Sequence, residues 1–250
     1  MNAEVSWRLE NEIGGLRCGP LSAAVRLNEL ELGLTAITWH DRACDAFRAL
    51  HIYAPVWGPR PAIGEAYVRG ADLVATYKPS AEGEITTQYY WRSRFDPHLN
   101  AAAIEVVLSV QTALLDSSPI TGLDHAVREG VVLQASALDP EAFQQHAPGH
   151  ATIQFKSNVS RVCLFVLREP ALGLSLATMV HPSDFFDAQL VYTPEYLASS
   201  VRTRLFPGRL EKGVIRRARI GGWFLPAEND LAVAVELAKR FIDEPLPLTT

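Results

Sequence analysis

Residues 89–98 (YYWRSRFDPH) bring aromatic rings, two guanidinium groups, a carboxylate and an imidazole into ten consecutive positions. Planar guanidinium donors hold sugar hydroxyls and carboxylates, while aromatic rings stack on the C–H faces of a sugar. Trp91, Arg92, Arg94, Asp96 and His98 therefore suit a carbohydrate or uronate site. The competing reading is packing: in a strand, Tyr89 and Trp91 share a core face, and Arg92 and Arg94 share a solvated one.

Two further stretches carry chemistry. At 181–186 (HPSDFF), His181 ends an apolar strand, and an imidazole with a pKa of about 6.5 is a candidate general acid or base that Asp184 can orient. The alternative there is a hydrogen-bonded surface histidine. In 210–225 (LEKGVIRRARIGGWFL), read as one strand, Arg216 shares a face with Leu210, Val214, Ala218, Ile220 and Phe224, and Arg217 and Arg219 lie opposite. An arginine among apolar side chains needs an anion, either an internal carboxylate such as Asp72 or Glu105 or a ligand. The pair Gly221 and Gly222 marks a bulge or a close approach of backbone or ligand.

Other chemistries lack their signatures. The chain has no phosphate loop, no dinucleotide fingerprint, no nucleophile elbow and no HExxH. His146 and His150 are separated by Pro148 and Gly149, so they do not share a helix face as metal ligands, and no CxxC or HxH pair occurs. No metal and no cofactor is expected.

Period-two alternation supplies the elements that position these residues. It runs through 5–10, 30–34 and 85–95; the apolar, β-branched segments 104–112, 131–135, 161–167 and 172–180 read as strands covered on both sides. Pro- and Gly-rich turns, such as 55–61, separate them. One helix is predicted over 228–242, with Asn229 or Asp230 as N-cap and Pro245 and Pro247 beyond its end, and a weaker helical stretch over 139–146. The fold class is thus mainly β, a large antiparallel β-sandwich of some fourteen long strands with a C-terminal helix, in one domain over 1–250.

Composition agrees. Hydrophobic residues make up 48% and charged residues 20%, which excludes a disordered chain, and no apolar run approaches the roughly 20 residues of a membrane-spanning helix. With 28 acidic against 23 basic residues, no general attraction to nucleic acid or anionic lipid is expected. Three dispersed cysteines and an N-terminus without a signal-like apolar run predict a cytoplasmic protein with reduced thiols.

In this layout, with Trp/Arg/His clusters on strands and at their ends, the chain resembles the galactose-mutarotase-like β-supersandwich superfamily. That resemblance covers most of the chain and implies a sugar cleft on one sheet. Mutarotases of the superfamily open and reclose a pyranose ring with two histidines and a glutamate, and the resemblance offers His98, His181 and Glu211 for those roles. A carbohydrate-binding or carbohydrate-processing protein is one expectation, with its site around Trp91, Arg92, Arg94, Asp96, His98, His181 and Arg216. The alternative is a non-enzymatic protein that homodimerises through aromatic sheet faces.

Overall fold

The computed structural model describes residues 5–53, 62–79, 85–118, 121–147, 149, 152–156, 162–206 and 208–244. The turn expected at 55–61, His150, and prolines 245 and 247 lie outside them. The first strands are β1 (Val5–Glu10), β2 (Ile13–Cys18), β3 (Leu21–Arg26), β4 (Leu34–Trp39), β5 (Arg42–Ala43), β6 (Phe47–Tyr53) and β7 (Ile63–Arg69). There follow β8 (Asp72–Tyr77), β9 (Ile85–Asp96), β10 (Ala101–Thr112), β11 (Asp116–Ser117), β12 (Thr121–Arg128), β13 (Val131–Ala135) and β14 (Phe143–His146). The rest are β15 (Ile153–Lys156), β16 (Cys163–Glu169), β17 (Leu174–Val180), β18 (Phe185–Thr193), β19 (Ala198–Leu205), β20 (Leu210–Glu211), β21 (Ile215–Pro226) and helix α1 (Asp230–Asp243).

A nine-stranded antiparallel sheet, ordered β14-β13-β16-β17-β21-β10-β9-β8-β7, is the backbone of the molecule. Two five-stranded sheets, β1 to β5 in sequence and β15-β18-β19-β12-β6, pack on its inner face and share one apolar core with it. The mainly β sandwich with a C-terminal helix is therefore the observed architecture. Alternation decides which residues enter that core, because successive side chains on a pleated strand point to opposite faces. Tyr89 and Trp91 of β9 pair across to Leu108 and Val106 of β10 and point inward, where their rings stack at 5.4 Å. Both rings are buried. They cannot supply the exposed aromatic face that the self-association reading required.

The outer face of the sheet receives α1. Ala234, Val235, Leu237, Ala238 and Phe241 recur at helical spacing and pack on Leu164, Val166, Ala177, Met179 and Trp223. Asn229 is the N-cap residue but makes no side-chain capping bond. Asp230 instead accepts from Arg168 Nε at 2.8 Å, Arg168 Nη2 at 2.6 Å and Ser175 Oγ at 2.6 Å, which ties the first turn to β16 and β17.

Three local expectations change. Residues 30–32 form a 3-10 turn, not a strand. The segment 139–146 is a 3-10 turn followed by β14, because Asp139 Oδ1 caps the Glu141 amide at 2.9 Å and the chain then pairs with β13. The stretch 210–225 is interrupted at Gly213, whose φ of 80° suits glycine, so Leu210 lies on β20 and only 215–226 forms the long strand.

One core histidine gives the fold an acid sensitivity. His125 is fully buried on the inner face of β12, its Nδ1 receives the Leu50 amide at 3.4 Å, and burial lowers its pKa from 6.5 to about 4. Such a group stabilises the fold fully above pH 6.5 and loses that contribution as pH falls toward 4. A gap of about 2.5 pKa units corresponds to about 3 kcal/mol. The urea midpoint of the wild type should fall across this window, and His125→Leu should remove that part of the fall; equal slopes in the two proteins would refute the assignment.

Candidate functional site

Strand register places a row of charged side chains on the outer face, beside the C-terminal end of α1. Arg92 faces Glu105 and Asp72 across the neighbouring strands, Arg94 faces Ala103, and Arg219 faces Val107. A cavity of about 340 Å3 opens here, lined by Arg94, Asp96, His98, Glu105, Trp223, Arg240 and Glu244 among others. Its size falls at the lower end of the roughly 300–1,000 Å3 typical of small-ligand sites.

Glu105 is the buried carboxyl of this cavity. Arg94 Nη2 stands 3.3 Å from its Oε2, an ion-pair distance, yet that oxygen accepts no hydrogen bond. Arg94 Nη1 turns to Glu244 Oε1 at 2.6 Å. Arg219, 1% exposed, lies with its guanidinium 4.0 Å from the Phe241 ring centre, donates to the Phe241 carbonyl, and sits 3.6 Å from Glu244 Oε2. His181 Nε2 lies 3.3 Å from the Ile242 carbonyl. Cationic and donor groups thus meet the last carbonyls of the helix, where its dipole is negative.

Burial pushes the Glu105 carboxyl above its ordinary value of 4.5, against the attraction of Arg94. The fold therefore favours the neutral acid, so its contribution is complete below pH 4.5 and is lost as pH rises through the raised folded value. Glu105→Gln keeps the neutral shape. Its stability relative to wild type should improve as pH rises above 4.5, read from urea midpoints, and a difference that stays constant or moves the other way would contradict this.

The sequence-derived candidates separate in space. Arg94, Asp96 and His98 line the cavity. Asp96 caps the β9–β10 turn through the His98 and Leu99 amides at 2.9 and 3.1 Å and holds Arg240 at 2.7 Å. Arg92 shares their face but is held by Asp72 in a two-pronged pair at 2.9 and 3.1 Å. Trp91 points to the opposite side of the sheet, into the core, because it alternates with both arginines. His181 stands across Arg219 from the cavity; its Nδ1 lies 2.7 Å from Ser183 Oγ, which donates to Asp184 at 2.7 Å.

Glu211 and Arg216 are displaced from the cavity by register. Glu211 is exposed on β20, opposite Asp116 of β11, near the Thr112 end of β10. Seven residues of strand, about 23 Å, separate that end from Glu105. Arg216 does share the face of Ala218 and Ile220, but at the partly exposed beginning of β21, and the buried arginine is Arg219.

No protein-family model and no curated protein matches the sequence. Solved structures do. A putative aldose 1-epimerase from Klebsiella pneumoniae superposes with a TM-score of 0.56 at 8% identity, over 99% of this chain and 92% of its own. A galactose mutarotase-like protein from Clostridium acetobutylicum gives 0.54 at 6% identity, over 90% and 99%. A GalM/aldose epimerase homologue from C. elegans gives 0.52 at 8% identity, over 89% and 99%. The chain has the galactose mutarotase-like fold.

Within this galactose mutarotase-like fold, α1 completes the cavity with Arg240, Phe241 and Glu244, which no strand pattern pointed to. The glycine pair did carry a signal. The ladder runs through Gly221 and Gly222 without a bulge, but a Cβ on Gly221 would stand 3.4 Å from Phe241 Cε2 and 3.1 Å from Met179 Cγ. Glycine at 221 lets the helix settle on the sheet, and the alternation of Arg219, Gly221 and Trp223 marks the surface it covers, while Arg217 before them is exposed.

Proposed function

We propose that the chain binds a carbohydrate in the cavity between β9, β10, β21 and the end of α1, and that acid–base chemistry at the sugar's anomeric centre takes place there. The observation that carries this reading is Glu105: a buried carboxyl on the cavity wall, with Arg94 beside it and His98 lining the same space. A carboxylate whose pKa is raised by burial is a stronger proton acceptor than an ordinary one. In ring opening, Glu105 takes the proton of the anomeric hydroxyl while His98 gives one to the ring oxygen, and the carbon–oxygen bond of the ring breaks. Reclosure on the other face returns both protons. Arg94 orients the sugar through charge-assisted hydrogen bonds.

The test is exchange between α and β anomers of glucose, galactose and glucuronate, followed by NMR with the purified protein. Catalysed exchange that Glu105→Gln and His98→Ala abolish supports the proposal. Arg94→Ala should weaken binding roughly 10- to 100-fold, the loss expected for charge-assisted hydrogen bonds. Sugar binding with no catalysed exchange would leave a binding protein, and no binding to any sugar would remove the carbohydrate reading.

A further inference from the structure

We infer that Arg94 and Arg219 form a seat for the oxyanion of an acidic sugar, a carboxylate or phosphate, and that the chain's own Glu244 occupies this seat until such a ligand displaces it. The inference rests on the carbohydrate reading above for the identity of the ligand, but not for the existence of the seat.

Three observations lead there. First, one carboxylate is divided between two guanidinium groups on different strands: Oε1 lies 2.6 Å from Arg94 Nη1 and Oε2 lies 3.6 Å from Arg219 Nη1. The second distance exceeds a hydrogen bond, and the Nε of the buried Arg219 makes none, so Glu244 fills the seat incompletely. Second, charge is not balanced without it. Arg92 is neutralised by Asp72, which leaves Arg94 and Arg219 with Glu105 and Glu244. Removing Glu244 leaves the two guanidinium groups beside the cavity with only Glu105, whose carboxyl burial holds toward its neutral form, and a buried cation without a counter-charge is costly. Third, Glu244 is able to leave. It follows the last helical residue with extended backbone angles (φ −69°, ψ 138°), and its side chain is 36% exposed, whereas both arginines are rooted in the sheet. An oxyanion that displaces Glu244 meets planar donors suited to two-pronged binding, and it is not tethered to the helix end as Glu244 is.

The experiment is isothermal titration of the full chain, wild type and Glu244→Gln, with D-glucuronate, D-glucose 6-phosphate, D-glucose and inorganic phosphate. Glu244→Gln is expected to raise the affinity for at least one of the two acidic sugars ten-fold or more relative to that for glucose, and Arg94→Ala in the Glu244→Gln background should cancel the gain. Which acidic sugar responds distinguishes a carboxylate from a phosphate ligand. Anion affinities that stay the same or fall in Glu244→Gln, or a gain shared equally by glucose, overturn the seat. Phosphate binding gained by Glu244→Gln in the absence of any sugar binding keeps the seat and removes the carbohydrate reading. Glucose binding in all variants with no response of the anions does the reverse.

Discussion

Asp230→Ala is expected to lower the unfolding free energy by about 2–4 kcal/mol, because it removes the buried partner of an ion pair and leaves the partly exposed Arg168 without its counter-charge. Asp230 is the buried first residue of α1 and satisfies both prongs of Arg168 as well as the Ser175 hydroxyl. For a chain of this length the melting temperature should drop by roughly 10 °C. The pair matters more for where the helix sits than for net stability. The double variant Asp230→Leu with Arg168→Met, which replaces the pair by apolar groups of similar size, should recover most of the loss. Urea unfolding followed by circular dichroism reads both. Equal losses in the single and double variants would mean that the ion pair is not what anchors the helix. Since the cavity depends on Arg240, Phe241 and Glu244, the single variant should also lose the sugar binding proposed for it before it unfolds globally.

Trp91→Ala should cost a similar amount, about 3–5 kcal/mol, for a different reason: it removes a large buried ring from a close-packed core and leaves a void. Trp91 stacks on Tyr89, which meets Tyr77 edge-on at 5.8 Å, and the Tyr77 hydroxyl donates to the Leu27 carbonyl at 2.8 Å. The lost ring therefore loosens the contact between the nine-stranded sheet and the β1–β5 sheet. Trp91→Phe should lose less, since a ring remains. The sugar affinity proposed for the cavity should be unaltered in the folded fraction of both. A Trp91→Ala protein with wild-type stability and no ligand binding would instead place this ring in the site.

These two residues show how far the pattern of a chain reaches. The alternation over 85–95 by itself determined a strand with Trp91 on one face and Arg92 and Arg94 on the other, since the two-residue period is a property of the local backbone. In the same way, the helical spacing after residue 228 determined an amphipathic helix, observed as Asp230–Asp243. Local chemistry was not enough where several patterns compete: at 139–146 helix, turn and strand propensities are close, and pairing with β13 decided for the strand.

What those faces meet was decided only by the tertiary structure. The arginine face of β9 reads equally as a solvated surface or a ligand site until α1 is laid across it, and the pairing of Arg94 with Glu244 spans 150 residues of sequence. Glu105, in the middle of an apolar strand, had the same ambiguity. Its burial, its ion pair and its raised pKa come from β9, β21 and the helix together. Alternation likewise set Arg216 and Arg219 on opposite faces, but not which of the two would be buried. That depended on where β21 begins and on the helix end that covers Arg219 and leaves the start of the strand open. Strand period is written into neighbouring residues, whereas burial and charge pairing are sums over distant ones, so the same residues that were visible as candidates acquired their chemistry only when the helix returned to the sheet.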